Sequence, residues 1–175
     1  MGDRRGRYPR RTKGTKLLYN STAVSTSLED TATETTFDNA SYTLNGGKLR
    51  VGDIIEVEGL VWIEDIEAAN SLQLKLYFGT EVVWDSTAIV MADNGLGYIR
   101  ASITVTAVGS GGSISAMNLG SLVATFGFAQ PSKLDNVAED LSGDVVIKLN
   151  GKWSAAHAGN ECECKSFSVK LTPVS

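Results

Sequence analysis

Ile54-Ile55-Glu56-Val57-Glu58-Gly59-Leu60-Val61-Trp62-Ile63-Glu64 decides the fold. Taken in twos, one phase reads Ile55, Val57, Gly59, Val61, Ile63. The other reads Ile54, Glu56, Glu58, Leu60, Trp62, Glu64. A period of two belongs to a β-strand with one apolar face and one charged face. The same period recurs along the chain. Leu72, Leu74, Leu76 and Phe78 alternate with Gln73, Lys75 and Tyr77, and Ile99, Ala101, Ile103 and Val105 with Arg100, Ser102 and Thr104. Val145, Ile147 and Leu149 form a further set, and Phe167, Val169 and Leu171 the last. Turn signals fall between the runs at Asn45-Gly46-Gly47, Gly79-Thr80, Asp93-Asn94-Gly95 and Gly109-Ser110-Gly111-Gly112. Eight to ten strands are expected, and no helix of ordinary length. Within the polar stretch Gln130–Gly143, Leu134–Leu141 reads as one or two helical turns. Strands this frequent predict an all-β sandwich or barrel.

The chain has 175 residues, 42 % of them hydrophobic, enough for one domain with a substantial core. No apolar run is long enough to span a bilayer as a helix, so no membrane contact is expected. No signal-peptide-like apolar stretch follows the basic start, so export by that route is not expected either. The charge is unevenly spread. Residues 1–16 carry seven basic side chains against one acidic, a net +6; the rest carry nine basic and nineteen acidic, a net −10. The reading is a flexible basic arm over 1–16 and a β-sandwich domain over 17–175. Arg4, Arg5, Arg7, Arg10, Arg11, Lys13 and Lys16, with Tyr8 among them, are the candidate contacts to nucleic acid or to an acidic protein surface. Arginine predominates, and its fork suits bidentate contact with phosphate or carboxylate.

Other constellations are weaker. His157, Cys162 and Cys164 provide three candidate metal ligands, one short of a usual zinc set. The ordinary reading is a pair of reduced cysteines on one strand face. Glu64-Asp65-Glu67 and Glu139-Asp140 are carboxylate clusters of the kind glycoside hydrolysis uses, placed where charges are usually solvated. No serine sits in a nucleophile elbow, and Gly109–Gly112 lacks the lysine of a phosphate loop. No catalytic residue and no cofactor is therefore expected. Asn20-Ser21-Thr22 and Asn39-Ala40-Ser41 match glycosylation sequons. Trp62, Trp84 and Trp153 with Tyr77 and Tyr98 offer either a sugar platform or a subunit interface; Trp62, Tyr77 and Trp84 are the interface candidates.

The order Thr33-Glu34-Thr35-Thr36-Phe37, Tyr42-Thr43-Leu44, Leu49 to Val57, Leu72 to Gly79, Val82 to Trp84, Lys152 to Ala156 and Phe167 to Leu171 resembles small jelly-roll-like virion proteins of tailed bacteriophages. Capsid decoration (cement) proteins and tail-fibre or tail-spike modules are among them. The resemblance covers about residues 30–172 and lies in patterns of strand and turn. It implies an antiparallel, jelly-roll-like β-sandwich without enzymatic activity, often a homotrimer, made in the host cytoplasm and carried on the virion surface. Its partners would be the major capsid protein and further copies of itself, with nucleic acid reached only through the arm. A single-jelly-roll coat protein with a genome-binding arm and a tail receptor-binding module are the alternatives.

Overall fold

A computed structural model describes residues 14–29, 31–65, 70–90, 95–123 and 132–174. Eleven strands lie among them: β1 Lys16–Ser21, β2 Thr35–Asn45, β3 Ile54–Asp65, β4 Ser71–Phe78, β5 Glu81–Asp85, β6 Ile89–Val90, β7 Gly95–Ala107, β8 Ser113–Val123, β9 Ser132–Ala138, β10 Asp144–Trp153 and β11 Glu161–Thr172. One short 3-10 turn, Gly46–Lys48, follows β2.

The strands form two antiparallel sheets. The six-stranded sheet runs β1-β11-β3-β7-β8-β9, and the five-stranded sheet β2-β10-β4-β5 with β6 beside β4. The pairings nest. β1 pairs with β11, β2 with β10, β3 with β7 and β4 with β5, and successive pairs alternate between the sheets. This is jelly-roll connectivity, with the β8–β9 hairpin added beyond β7. The alternating apolar phases face each other across the sandwich, and Ile55, Leu74, Ile103, Ile147 and Phe167 are all buried between the sheets. Burying those faces is what stacks the sheets and fixes each strand's register.

Leu134–Leu141 departs from expectation. Ser132–Ala138 is the edge strand β9, paired with β8, and not a helical turn. The apolar spacing that looked helical, Leu134 then Val137, comes from a register shift opposite Ile114 and Ala116, with Asn136 at φ 50°. A bulge inserts one residue, so inward positions fall three apart. The irregularity also guards the sheet edge, as do Lys133 and Asp135, ion-paired at 2.8 Å.

The turn signals at 79–80 and 109–112 lie between strands, and the one at 45–47 begins on the last residue of β2. Gly79 is required twice over. Its φ is +63°, and a Cβ there would meet Glu139 Oε1 at 2.0 Å. Asp93 and Asn94 lie outside the described residues, and Gly95 opens β7.

Candidate functional site

Arg4, Arg5, Arg7, Tyr8, Arg10, Arg11 and Lys13 lie outside the described residues. Lys16 opens β1 and pairs with Leu171 near the end of β11. One residue earlier the Thr15 and Thr172 hydroxyls are hydrogen-bonded at 2.8 Å. The basic segment therefore joins the body at one edge of the six-stranded sheet.

The outer face of that sheet is the largest feature it adjoins. Cross-strand register sets Trp62 opposite Leu96, Leu60 opposite Tyr98 and Glu58 opposite Arg100 on β3 and β7. On β8, Leu119 stands beside Arg100 and Met117 beside Ser102. Leu96, Tyr98, Met117 and Leu119 are exposed there, with Leu17 on the edge strand beyond Lys170. Its charges are internally matched. Arg100 lies 3.5 Å from Glu56 and 3.6 Å from Glu58, and Lys170 lies 2.9 Å from Glu58. Lys165 pairs with Glu163. The floor dips where Gly59, Ser166 and Ser168 line a groove of about 420 Å³ flanked by Leu17, Leu60 and Tyr98.

The three tryptophan and tyrosine interface candidates do not share a surface. Trp62 is half-buried on this outer face. Tyr77 belongs to β4, on the outer face of the opposite sheet. Trp84 is 4 % exposed and packs its indole on Gly120, where a Cβ would lie 2.4 Å from the ring. It is committed to the core of its own chain and offers no surface to another. Trp153 is fully buried, its Nε1 donating to Leu28 O at 2.9 Å. A sugar platform built from all five aromatics is thus ruled out.

Around Tyr77 lies a polar network that sequence reading missed. Glu34, in the segment leading into β2, accepts hydrogen bonds from Lys75 Nζ at 2.8 Å, Tyr77 O–H at 2.6 Å and Asn150 Nδ2 at 2.8 Å. Thr36 O–H donates to Asn150 Oδ1 at 2.7 Å. Burial by itself would raise the Glu34 pKa. The three donors and the Lys75 charge outweigh it and hold the carboxyl at about 2. The same contact raises the Lys75 and Tyr77 pKa values. Lys148 Nζ sits 5.1 Å from the Tyr77 ring centroid, a cation–π contact. With every charge answered, the network fastens a segment to a sheet.

The remaining candidates are also structural. Cys162 and Cys164 do share one face, but it is the inner one, where both are buried. Burial pushes the Cys162 thiol far up, and the Cys164 thiol up to about 12. His157 is exposed in the turn before β11, its Nδ1 accepting from Gly159 N at 3.1 Å. Among the described residues no three His, Cys, Asp or Glu side chains are grouped to hold a metal ion. Glu139 is buried, and its Oε2 accepts from Thr80 N at 3.0 Å and Thr80 O–H at 3.1 Å. Asp140 caps its own turn through Ser142, which holds its pKa below the ordinary value. Glu67 and the side chains of Glu64 and Asp65 lie outside what is described. The two sequons separate cleanly: Asn20 is exposed on β1, whereas Asn39 is buried with its amide donating to Ala23 O and Cys164 O.

Fold and surface together define a jelly-roll β-sandwich with a broad, charge-matched outer sheet face. No family model matches this chain, and no curated protein matches its sequence.

Proposed function

We propose that this chain is a structural protein of a virion, a decoration protein that binds the major capsid protein shell and bridges its capsomers. The observation that carries the reading is the junction at Lys16. There a segment of net +5 runs into the edge strand of a closed sandwich whose own net charge is −9. Such a layout separates gripping from bearing load. The arm supplies charge-assisted contacts to an acidic shell, and linkage to the body raises their effective concentration. The sandwich resists deformation because a close-packed interior has low compressibility.

The alternative is a single-jelly-roll coat protein whose arm neutralises a packaged genome. The same basic arm favours it, since release of counterions from phosphate needs only a cluster of cations.

The experiment is co-sedimentation of the full chain, and of a chain lacking residues 1–13, with empty tailed-phage capsids stripped of their decoration protein. The full chain is expected to pellet with the capsids and the truncated chain to remain in the supernatant, both with the same melting temperature. Truncated chain that pellets equally well removes the arm from the reading. Full chain that ignores capsids but protects DNA from nuclease replaces the decoration reading with the coat alternative.

A further inference from the structure

The outer face of the six-stranded sheet carries its charges in matched pairs at its centre and exposes apolar side chains around them. The rest of the body is strongly acidic. Two copies of an acidic body repel each other over most orientations. The matched face is where that repulsion vanishes and where apolar surface is available. We infer that this face pairs with the same face of a second copy, about a two-fold axis running parallel to the strands between β3 and β7.

The register of the sheet supplies the complementarity. A two-fold axis midway between two paired strands sets each residue of one strand opposite its registered partner on the second copy. Trp62 then faces Leu96 of the second copy, and Leu60 faces Tyr98. Arg100 faces Glu58 of the second copy, so the central contact joins opposite charges. The flanks are exchanged too. β8 lies as far from the axis on one side as β11 on the other.

Relief follows the same rule. Met117 and Leu119 stand out from β8 at 68 % and 56 % exposure, on the rim of a hollow of about 540 Å³ shared with Glu56, Arg100 and Ser102. On the β11 side Ser166 and Ser168, with Gly59 of β3, floor the groove. Leu119 shares its row with Arg100, Glu58 and Ser168. The axis therefore sets Leu119 of each copy over the groove at Ser168 of the other, twice. Such a contact is isologous and closes on itself.

The area suffices. Four central strands at about 4.8 Å spacing and about ten residues long cover roughly 600 Å², and all six strands roughly 900 Å². A stable specific interface needs about 800 Å² from each partner.

The inference stands apart from the decoration reading, and either can fail alone. Native mass spectrometry and sedimentation equilibrium of the full chain test it, with no capsid present. A dimer is expected. Leu119→Glu is expected to weaken it about tenfold or more, since a carboxylate would have to leave water where Leu119 made an apolar contact. The Leu119→Glu, Ser168→Lys double variant is expected to dimerise again. Val146→Glu, on the exposed face of the other sheet, serves as control and is expected to leave the dimer intact. Circular dichroism matching the parent chain shows that each variant is folded. A monomeric or trimeric parent chain overturns the inference. So does a dimer indifferent to Leu119→Glu, or a double variant that stays monomeric. If the parent chain is monomeric and Leu119→Glu abolishes capsid binding, the face belongs to the capsid protein instead.

Discussion

Glu34→Gln removes a charge from the network on the five-stranded sheet while keeping the side chain's size. The carboxyl is held at about 2 against an ordinary 4.5. At about 1.36 kcal/mol per pH unit this sets an upper bound of about 3 kcal/mol. The side chain is 26 % exposed, and screening by solvent brings the expected contribution to about 1–2 kcal/mol. The sign follows from the direction of the displacement. A carboxyl that titrates lower in the folded chain than in the unfolded one stabilises fully above the unfolded value of 4.5. That stabilisation is lost as pH falls towards about 2. Urea unfolding of both chains, at one protein concentration, should separate them by about 1–2 kcal/mol at about pH 7. At about pH 2 the gap should shrink to less than half of that. A gap that is absent at neutral pH, or that persists unchanged in acid, refutes the account of Glu34 as a charged fastening. Comparing the two chains cancels the acid response of Asp38 and Asp140, whose pKa values are also lowered.

Gly120→Ala would press a methyl group into the Trp84 indole. It should cost about 1–3 kcal/mol, read as a lowered urea midpoint with an altered tryptophan emission. Native chain should leave Cys162 and Cys164 unmodified by a thiol reagent at neutral pH, and both should react at once in denaturant. Fast labelling without denaturant would place the cysteines outside the core. Gly79→Ala should destabilise by about 1–3 kcal/mol, and pairing it with Glu139→Ala should recover part of the loss. The part that remains would measure the strain of a positive φ.

The strands that carry the core were legible because each is half-buried over many residues. β3, β4 and β7 show their inward phase as plain alternation, and β10 and β11 do so over Val145–Leu149 and Phe167–Val169. β9 was misread because a bulge turned a period of two into a gap of three. The inward residues of β2, Phe37, Ala40 and Leu44, are irregular for a similar reason. β2 shifts register against β10 between Lys148 and Asn150. Trp84 was misplaced because Val82-Val83-Trp84 is apolar in both phases, so alternation does not say which side faces in. Glu34 gave no local sign at all. Its partners lie 41, 43 and 116 residues away, and only the folded sheet assembles them. Trp62 was read correctly as outward, but Leu96 and Tyr98 become its neighbours only through the order of the strands.

Lys16 at the head of β1 lies beside Leu171 near the tail of β11, so a pull on the basic leader meets the pair at its open end. Antiparallel strands pulled sideways from that end part like a zipper, one hydrogen bond after another, and not by shearing all bonds together. β1 spans six residues, which would release about 20 Å of slack before tension reached the inner strands. A molecule anchored by its leader on a swelling shell would then yield at this outermost strand first. It would lengthen its tether at low force while the sandwich behind it kept its shape.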